Sequence, residues 1–504
     1  MRKSIIAGTL MTALCLGARA EESDAQRLKN LENAVQMLQD ENATLKKEID
    51  TTTTDSAAAN KLKISSPVES VSLYGEARLR YFSNMGEAAG KDAGDSAQRE
   101  RLRYRFRLGS DIKLDDNWAV GILLETGNVA RSANVTLGEN QFFAKSTPPT
   151  LKNGSVTTNT NYGDSLFLGR MFLKYSNDWM TVEGGKIPNP FVSTRMLWDP
   201  DLSPEGFGEQ FHYTIASDSA PKVEHSKDDK AVVSTESPAQ SGMSVDLFAN
   251  FGQFIYSDVG FENSFNTGTG PFTEVPSATD LWMLGWQAGA KVNFNKNTFF
   301  QIAPALYNYT GGGTSAAEGP FNGDNALVQL NSSAIPSLIT YNQTGVNNLM
   351  VFDVPAEFDW KMWNIPFSVF GDFADNLDAP TRAARAGHPD KGSQGIAYQL
   401  GLSAGAAKKK GDWELRGWWQ HSDAYALDQN IIDDDIFDGR LNMEGFYVQA
   451  TYMLTNSVSV ILQGSHGHRI DDTLGTPGFG ALGTAAGFPL QTVNLVYVDL
   501  NVKF

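Results

Sequence analysis

From Val71 onward the chain alternates apolar and polar residues with a period of two. Val71, Leu73, Ala77, Leu79 and Tyr81 alternate with Ser72, Tyr74, Glu76, Arg78 and Arg80. Leu102, Tyr104, Phe106 and Leu108 alternate with Arg101, Arg103, Arg105 and Arg107. The same period places Trp282 to Phe294, Met350 to Trp360, Ile396 to Leu402 and Phe446 to Leu454 on single faces. It returns in Val496, Val498, Leu500, Val502 and Phe504. Side chains two residues apart share one face of a strand, so each segment predicts a β-strand with one apolar and one wet side.

The connections set the architecture. Asp115-Asp116-Asn117, Ser176-Asn177-Asp178, Asn295-Lys296-Asn297, Lys409-Lys410-Gly411 and Thr455-Asn456-Ser457 are tight-turn sequences. Long polar, Gly-rich excursions separate them: Thr126 to Gly163, Thr310 to Asn347 and Gly467 to Gln491. Short turns on one side and long loops on the other describe a membrane barrel. Trp118, Trp179 and Trp413 follow short turns at once, and Trp360 and Trp363 flank another, so these indoles are expected to form a girdle at one membrane boundary. The stretch Ala216 to Gly242 is long where a short turn is due, which implies an insertion or a miscounted strand. The count is about sixteen strands. A soluble sandwich or propeller would bury the apolar face and carry less tryptophan at its turns.

The first 66 residues follow other rules. Arg2 and Lys3 before the apolar run Ile5 to Leu16, then Ala18-Arg19-Ala20, predict an export signal over 1–20. Residues 21–50 carry a heptad: Leu28, Val35, Asn42 and Ile49 at one seam position, Leu31, Leu38 and Leu45 at the other. A helix of that length is about 40 Å long. Arg27 with Glu32 and Glu41 with Lys46 suit parallel self-association. β-Branched residues opposite leucine lean toward a dimer. Residues 51–66, rich in Thr, Ser and Ala, form a linker to a barrel over 67–504.

Composition agrees. The 504 residues are 41% hydrophobic and 11% aromatic, with mean hydropathy −0.30. No segment past the signal approaches the roughly 18 apolar residues of a membrane helix, so any spanning is by strands. The one cysteine, Cys15, falls within the signal, which leaves no disulfide after export. A net charge of −17 argues against nucleic acid as partner.

The candidate chemistry is a row of arginines. Arg99, Arg101, Arg103, Arg105 and Arg107 point to one side of one strand, and Arg78 and Arg80 lie on the polar face of its neighbour. A charge on the lipid face costs about 2–4 kcal/mol near the midplane, so the row must line the lumen. Crowded like charges need carboxylates opposite. Asp199, Asp201 and Glu205 sit in Trp198-Asp199-Pro200-Asp201-Leu202-Ser203-Pro204-Glu205-Gly206, where the prolines exclude a central strand. This segment is expected to fold into the pore as a constriction loop facing the arginines. A transverse field would then favour polar solutes. The bland alternative is that arginines and carboxylates only stiffen the barrel.

These segments together, Arg101 to Gly109, Asn117-Trp118 with Gly121 and Thr126-Gly127, Gly185 to Phe191 and Trp198 to Gly206, resemble a bacterial outer-membrane porin family with an exported coiled-coil leader. The resemblance spans most of 67–504, with sharp motifs in the first half. It implies passive diffusion of small hydrophilic solutes or ions, no cofactor, and a homotrimer rather than the dimer. The fold expected is all-β: a transmembrane antiparallel β-barrel preceded by a periplasmic α-helical coiled coil, with outer-membrane lipid and lipopolysaccharide around it. A competing role is structural, the coil contacting peptidoglycan and tethering the envelope.

Enzyme and metal readings are weak. Gly401-Leu402-Ser403-Ala404-Gly405 matches the nucleophile-elbow string but sits inside an alternating strand. His466 and His468 lack a third ligand nearby. Asp433, Asp434, Asp435 and Asp438 lack the spacing of a calcium-binding helix–loop–helix, and are expected in an external acidic loop bridged to lipopolysaccharide by divalent cations.

Overall fold

The computed structural model describes residues 67–88, 96–127, 132–137, 150–152, 155–157, 166–216, 243–257, 281–310, 349–385, 388–478, 482 and 490–504. The export signal, the heptad residues Leu28 to Ile49, the linker and most of Ala216 to Gly242 lie outside them.

Sixteen antiparallel strands close into one barrel. They are β1 (Val68–Ala88), β2 (Ser96–Leu114), β3 (Trp118–Thr126), β4 (Leu166–Ser176), β5 (Met180–Lys186) and β6 (Glu205–Ala216). Next come β7 (Ser244–Ser257), β8 (Leu281–Asn295), β9 (Thr298–Ile302 resuming as Ala305–Thr310) and β10 (Met350–Asp353 resuming as Ala356–Met362). The last six are β11 (Ile365–Asn376), β12 (Ile396–Gly405), β13 (Trp413–Ser422), β14 (Met443–Met453), β15 (Val458–Arg469) and β16 (Leu490–Lys503). Each pairs with the next, and β16 pairs with β1 in the register Leu79↔Leu500 and Tyr81↔Val498. Closure joins the first strand to the last, so the barrel sheet does not end in an open first or last strand. Pro304 and Pro355, which have no N–H to give a ladder, fall at the interruptions of β9 and β10.

Alternation sorts the side chains as the pattern predicts. Leu73, Leu79, Leu400, Leu402 and Val448 are exposed on the outside. Trp118, Trp179, Trp363 and Trp413 stand exposed at or beside short turns. Asp116 and Asn117 (φ 55° and 69°) and Trp363 and Asn364 (φ 52° and 63°) are the left-handed central pairs of two-residue hairpins. β6 and β7 pair directly, Ala216↔Ser244, so the long segment between them is an insertion at a hairpin and no strand was miscounted. Among the described residues no helix is long and apolar enough to cross a membrane. The one α-helix of more than one turn there, α1 (Ala379–Arg385), lies between β11 and β12.

The interior is not uniformly polar. Ile187, Phe191, Met196, Leu197 and Trp198, from the β5–β6 loop, pack with Phe254, Met283, Tyr307, Val351, Ala374 and Ala397 of the wall. Leu427, Ile432 and Leu441, from the β13–β14 loop, join the same core. Each loop therefore brings its own apolar face and buries it inside the barrel, a contribution of about 1.5–3 kcal/mol per large side chain.

Candidate functional site: an arginine wall faced by two inward loops

The β1–β2 register sets like charges against one another. Arg78 lies opposite Arg105, and Arg80 opposite Arg103, on the inner face. Directly opposed like charges destabilise a sheet pair, so the arrangement needs carboxylates close by. Three come from the wall. Asp499 on β16 accepts from Arg80 Nε and Nη2 at 2.7 and 2.8 Å. Glu76 on β1 pairs with Arg105, and Glu125 on β3 accepts from Arg107 Nε at 2.8 Å.

Two more come from loops. Residues 187–204 leave β5 and run across the lumen, anchored in turn to several strands. Gln210 on β6 donates to the Pro190 carbonyl at 2.8 Å, and Gln287 on β8 bonds both the N–H and the carbonyl of Val192 at 2.8 Å. Thr194 donates to Asp372 on β11, and Arg195 Nη1 donates to the Tyr447 hydroxyl on β14 at 2.8 Å. Asp201 then meets the arginine wall: Arg105 Nη1 at 3.1 Å from both its oxygens, Arg107 Nη2 at 3.1 Å from Oδ1. Burial alone would raise the Asp201 carboxyl, but Arg107 and Arg105 outweigh it and hold the group well below the usual carboxylate range.

The second loop, 423–442, is the one expected outside. The structure corrects that expectation. Asp433 and Asp438 are buried, Asp435 accepts from Arg80 Nη1 at 2.9 Å, and Asp438 accepts from Asn84 Nδ2 at 3.0 Å. Burial pushes Asp435 up, yet Arg80 and Arg195 bring it below its ordinary value. The loop is drawn in because Leu427, Ile432, Ile436, Phe437 and Leu441 are all nearly fully buried there. Its acidic groups follow that apolar face inward.

The remaining candidates separate. Arg103 Nη2 reaches Ser132 Oγ at 3.2 Å and the Asn134 carbonyl at 3.0 Å, while Arg78 Nη2 reaches Asn134 Oδ1 at 2.6 Å. Arg101 lies over the Phe82 ring, 4.3 Å from its centroid. Arg99 is exposed near the loop end of β2, opposite Asn84. Asp199 is buried beside Ile431, and its N–H donates to the Ile431 carbonyl at 2.6 Å. Glu205 does not face the arginines. It begins β6, is 66% exposed, and lies 3.4 Å from Lys186 Nζ.

The family model described as "Putative porin" matches residues 36–371. This chain belongs to that family. Among solved structures, the porin is similar to a mutant porin of Rh. blastica (11% identity, 86% of this chain and 100% of that one, TM-score 0.36). It is also similar to the anion-selective porin of Comamonas acidovorans (12% identity, 86% and 99% covered, TM-score 0.39). Likeness at these scores is slight, and the barrel rests on the strand pairing above. No curated protein matches.

Other chemistry in the porin is accounted for structurally. Ser403 lies within β12, opposite Ser368 and Arg416, with no strand-to-helix turn. His466 bonds Asn494 at 2.8 Å and His468 bonds Glu444 at 3.0 Å. Sequence reasoning missed Asp499, Glu76 and Glu125 as partners of the arginines. The signal was present, since all three sit at inward parity in strands beside the row.

Proposed function

We propose that this chain is an outer-membrane porin that passes small hydrophilic solutes and ions passively, with a preference for anions set by the arginine wall. One observation carries the reading: guanidinium groups of β2 face a loop that crosses the barrel and presents Asp201 to them. Charged side chains around a narrow zone act on passing ions through a field that bulk water would otherwise screen. Arg101 and Arg103, on the loop side of the Asp201 contact, would meet an entering anion first. The export signal and the apolar outer belt support an outer-membrane location. The heptad supports self-association through its coil, as a trimer in keeping with the porin reading.

Planar-bilayer recording tests this. Under a salt gradient the reversal potential should lie on the anion side and move toward zero for Arg103→Ala. An unchanged potential in that variant would remove the arginine row from selectivity. The tether reading would win instead if the intact protein does not conduct and deleting 21–49 collapses envelope integrity.

A further inference from the structure

Asp199 from the first inward loop meets Asp433 and Asp434 from the second. A carboxylate oxygen of each lies within 4.8 Å of the others. Asp199 and Asp433 are each 3% exposed. Like charges at that spacing, two of them shielded from water and Asp434 half-buried, repel unless a positive charge or a proton intervenes. Arg195 bonds Asp433 and so offsets one of the three charges, while Arg105 and Arg107 are directed to Asp201. Asp199 makes no ion pair among the described residues. Its Oδ1 accepts the Asp201 N–H at 2.8 Å, while Oδ2 is buried and meets no hydrogen-bond donor. A buried carboxylate oxygen without a donor is uncommon and calls for an ion, a water or a proton.

We propose that Asp199, Asp433 and Asp434 form a calcium site that joins the two inward loops. The donors are all hard carboxylate oxygens, which suit calcium or magnesium rather than a softer transition metal. They stand on irregular loops, and calcium accepts six to eight oxygens in loose geometry where magnesium demands a near-ideal octahedron. Backbone carbonyls and water would complete the shell. This site goes beyond the transport reading. It acts on how firmly the loops are held, whichever ion the lumen prefers.

The test uses the full-length protein in detergent with terbium as the calcium stand-in. Trp198, next to Asp199 and 5% exposed, can sensitise terbium emission. Emission should appear in the wild type, be displaced by calcium before an equal concentration of magnesium, and be lost in both Asp199→Asn and Asp434→Asn. Asp178→Asn, in a short turn, should keep it. Calcium should raise the melting temperature over a chelator in the wild type and leave Asp199→Asn unmoved. No sensitised emission from a folded wild type, or emission surviving in both variants, would overturn the site. A shared proton would then account for the cluster, and Asp199→Asn would equal or exceed the wild type in stability without metal. Bilayer selectivity is measured separately, so failure here leaves the porin reading standing.

Discussion

Replacing Asp201 with asparagine removes one carboxylate that serves two arginines. Arg105 keeps Glu76 and Arg107 keeps Glu125, so neither guanidinium is stranded. The loop therefore loses charge-assisted hydrogen bonds, roughly 1.5–3 kcal/mol, rather than the 3–5 kcal/mol typical of a broken buried pair. The amide can still accept from either arginine, which keeps the loop docked. The effect on transport is electrostatic. One negative charge about 4 Å from a passing ion contributes about 1 kcal/mol in water and about 4 kcal/mol at an effective dielectric near 20. A wet lumen belongs near the lower figure, roughly a five-fold effect on each ion and, because the charge acts with opposite sign on anion and cation, about a thirty-fold change in their permeability ratio. Recording at about 0.1 M salt keeps the Debye length near 10 Å, whereas at about 1 M it falls to roughly 3 Å and hides the charge. Asp201→Asn should shift the reversal potential toward anions at low salt, and Arg105→Ala should shift it the other way. Asp201→Asn channels that conduct with the wild-type reversal potential at low salt would refute the field across the lumen.

Three further outcomes follow from the same structure. A Cβ on Gly75 would lie 2.4 Å from the Phe504 ring and 2.9 Å from the Arg107 carbonyl oxygen, so Gly75→Ala should cost about 1–3 kcal/mol of overpacking at the β1–β16 closure; heat-modifiable gel mobility should be lost at a lower temperature, and an unchanged midpoint would contradict the closure contact. Leu400→Arg puts a charge at mid-strand on the outer face, where Leu400 is 65% exposed, and should cost about 2–4 kcal/mol in a bilayer; equal urea resistance of wild type and variant in lipid vesicles would show that this face does not meet lipid. Because the Asp201 carboxyl sits below its ordinary value, its stabilising effect is complete above the unfolded value of about 3.9 and fades only as pH falls through the lower folded one. Protease protection of residues 187–204 should then be the same at pH 7 and pH 5, and release of that loop between those values would count against the Asp201 contact.

The barrel was legible because its constraint is local: a period of two, tight turns and an exposed apolar face repeat in every strand. Asp115 to Asn117, Asn177 and Asn456 marked the turns they occupy, and the prolines around Asp199 marked a loop. The destination of residues 423–442 was hidden. A run of aspartates suggests solvent, and the apolar residues among them, Leu427, Ile432, Ile436, Phe437 and Leu441, follow no helix or strand period. Only contacts with Arg80, Arg195 and Asn84, distant in the chain, show where that run resides. Glu205 failed in the opposite way. Its place in a carboxylate-rich motif suggested a shared task, yet β6 begins at that residue and parity turns it away from the lumen.

The two inward loops also explain how the arginines are tolerated. A row spaced for one strand face cannot be neutralised by that strand, and adjacent strands supply only Glu76, Glu125 and Asp499. The balance comes from segments whose apolar residues must find a core, and the barrel interior is where that core lies. Burial of Trp198 and Leu197 carries Asp201 to the wall, and burial of Ile432 and Ile436 carries Asp435. Loop packing and lumen electrostatics are therefore one coupled feature. A cavity such as Trp198→Ala, expected to cost about 3–5 kcal/mol, should loosen Asp201 and move ion selectivity toward anions without altering any lumen charge. A Trp198→Ala channel with wild-type selectivity would show that the charges hold their places without the core beneath them.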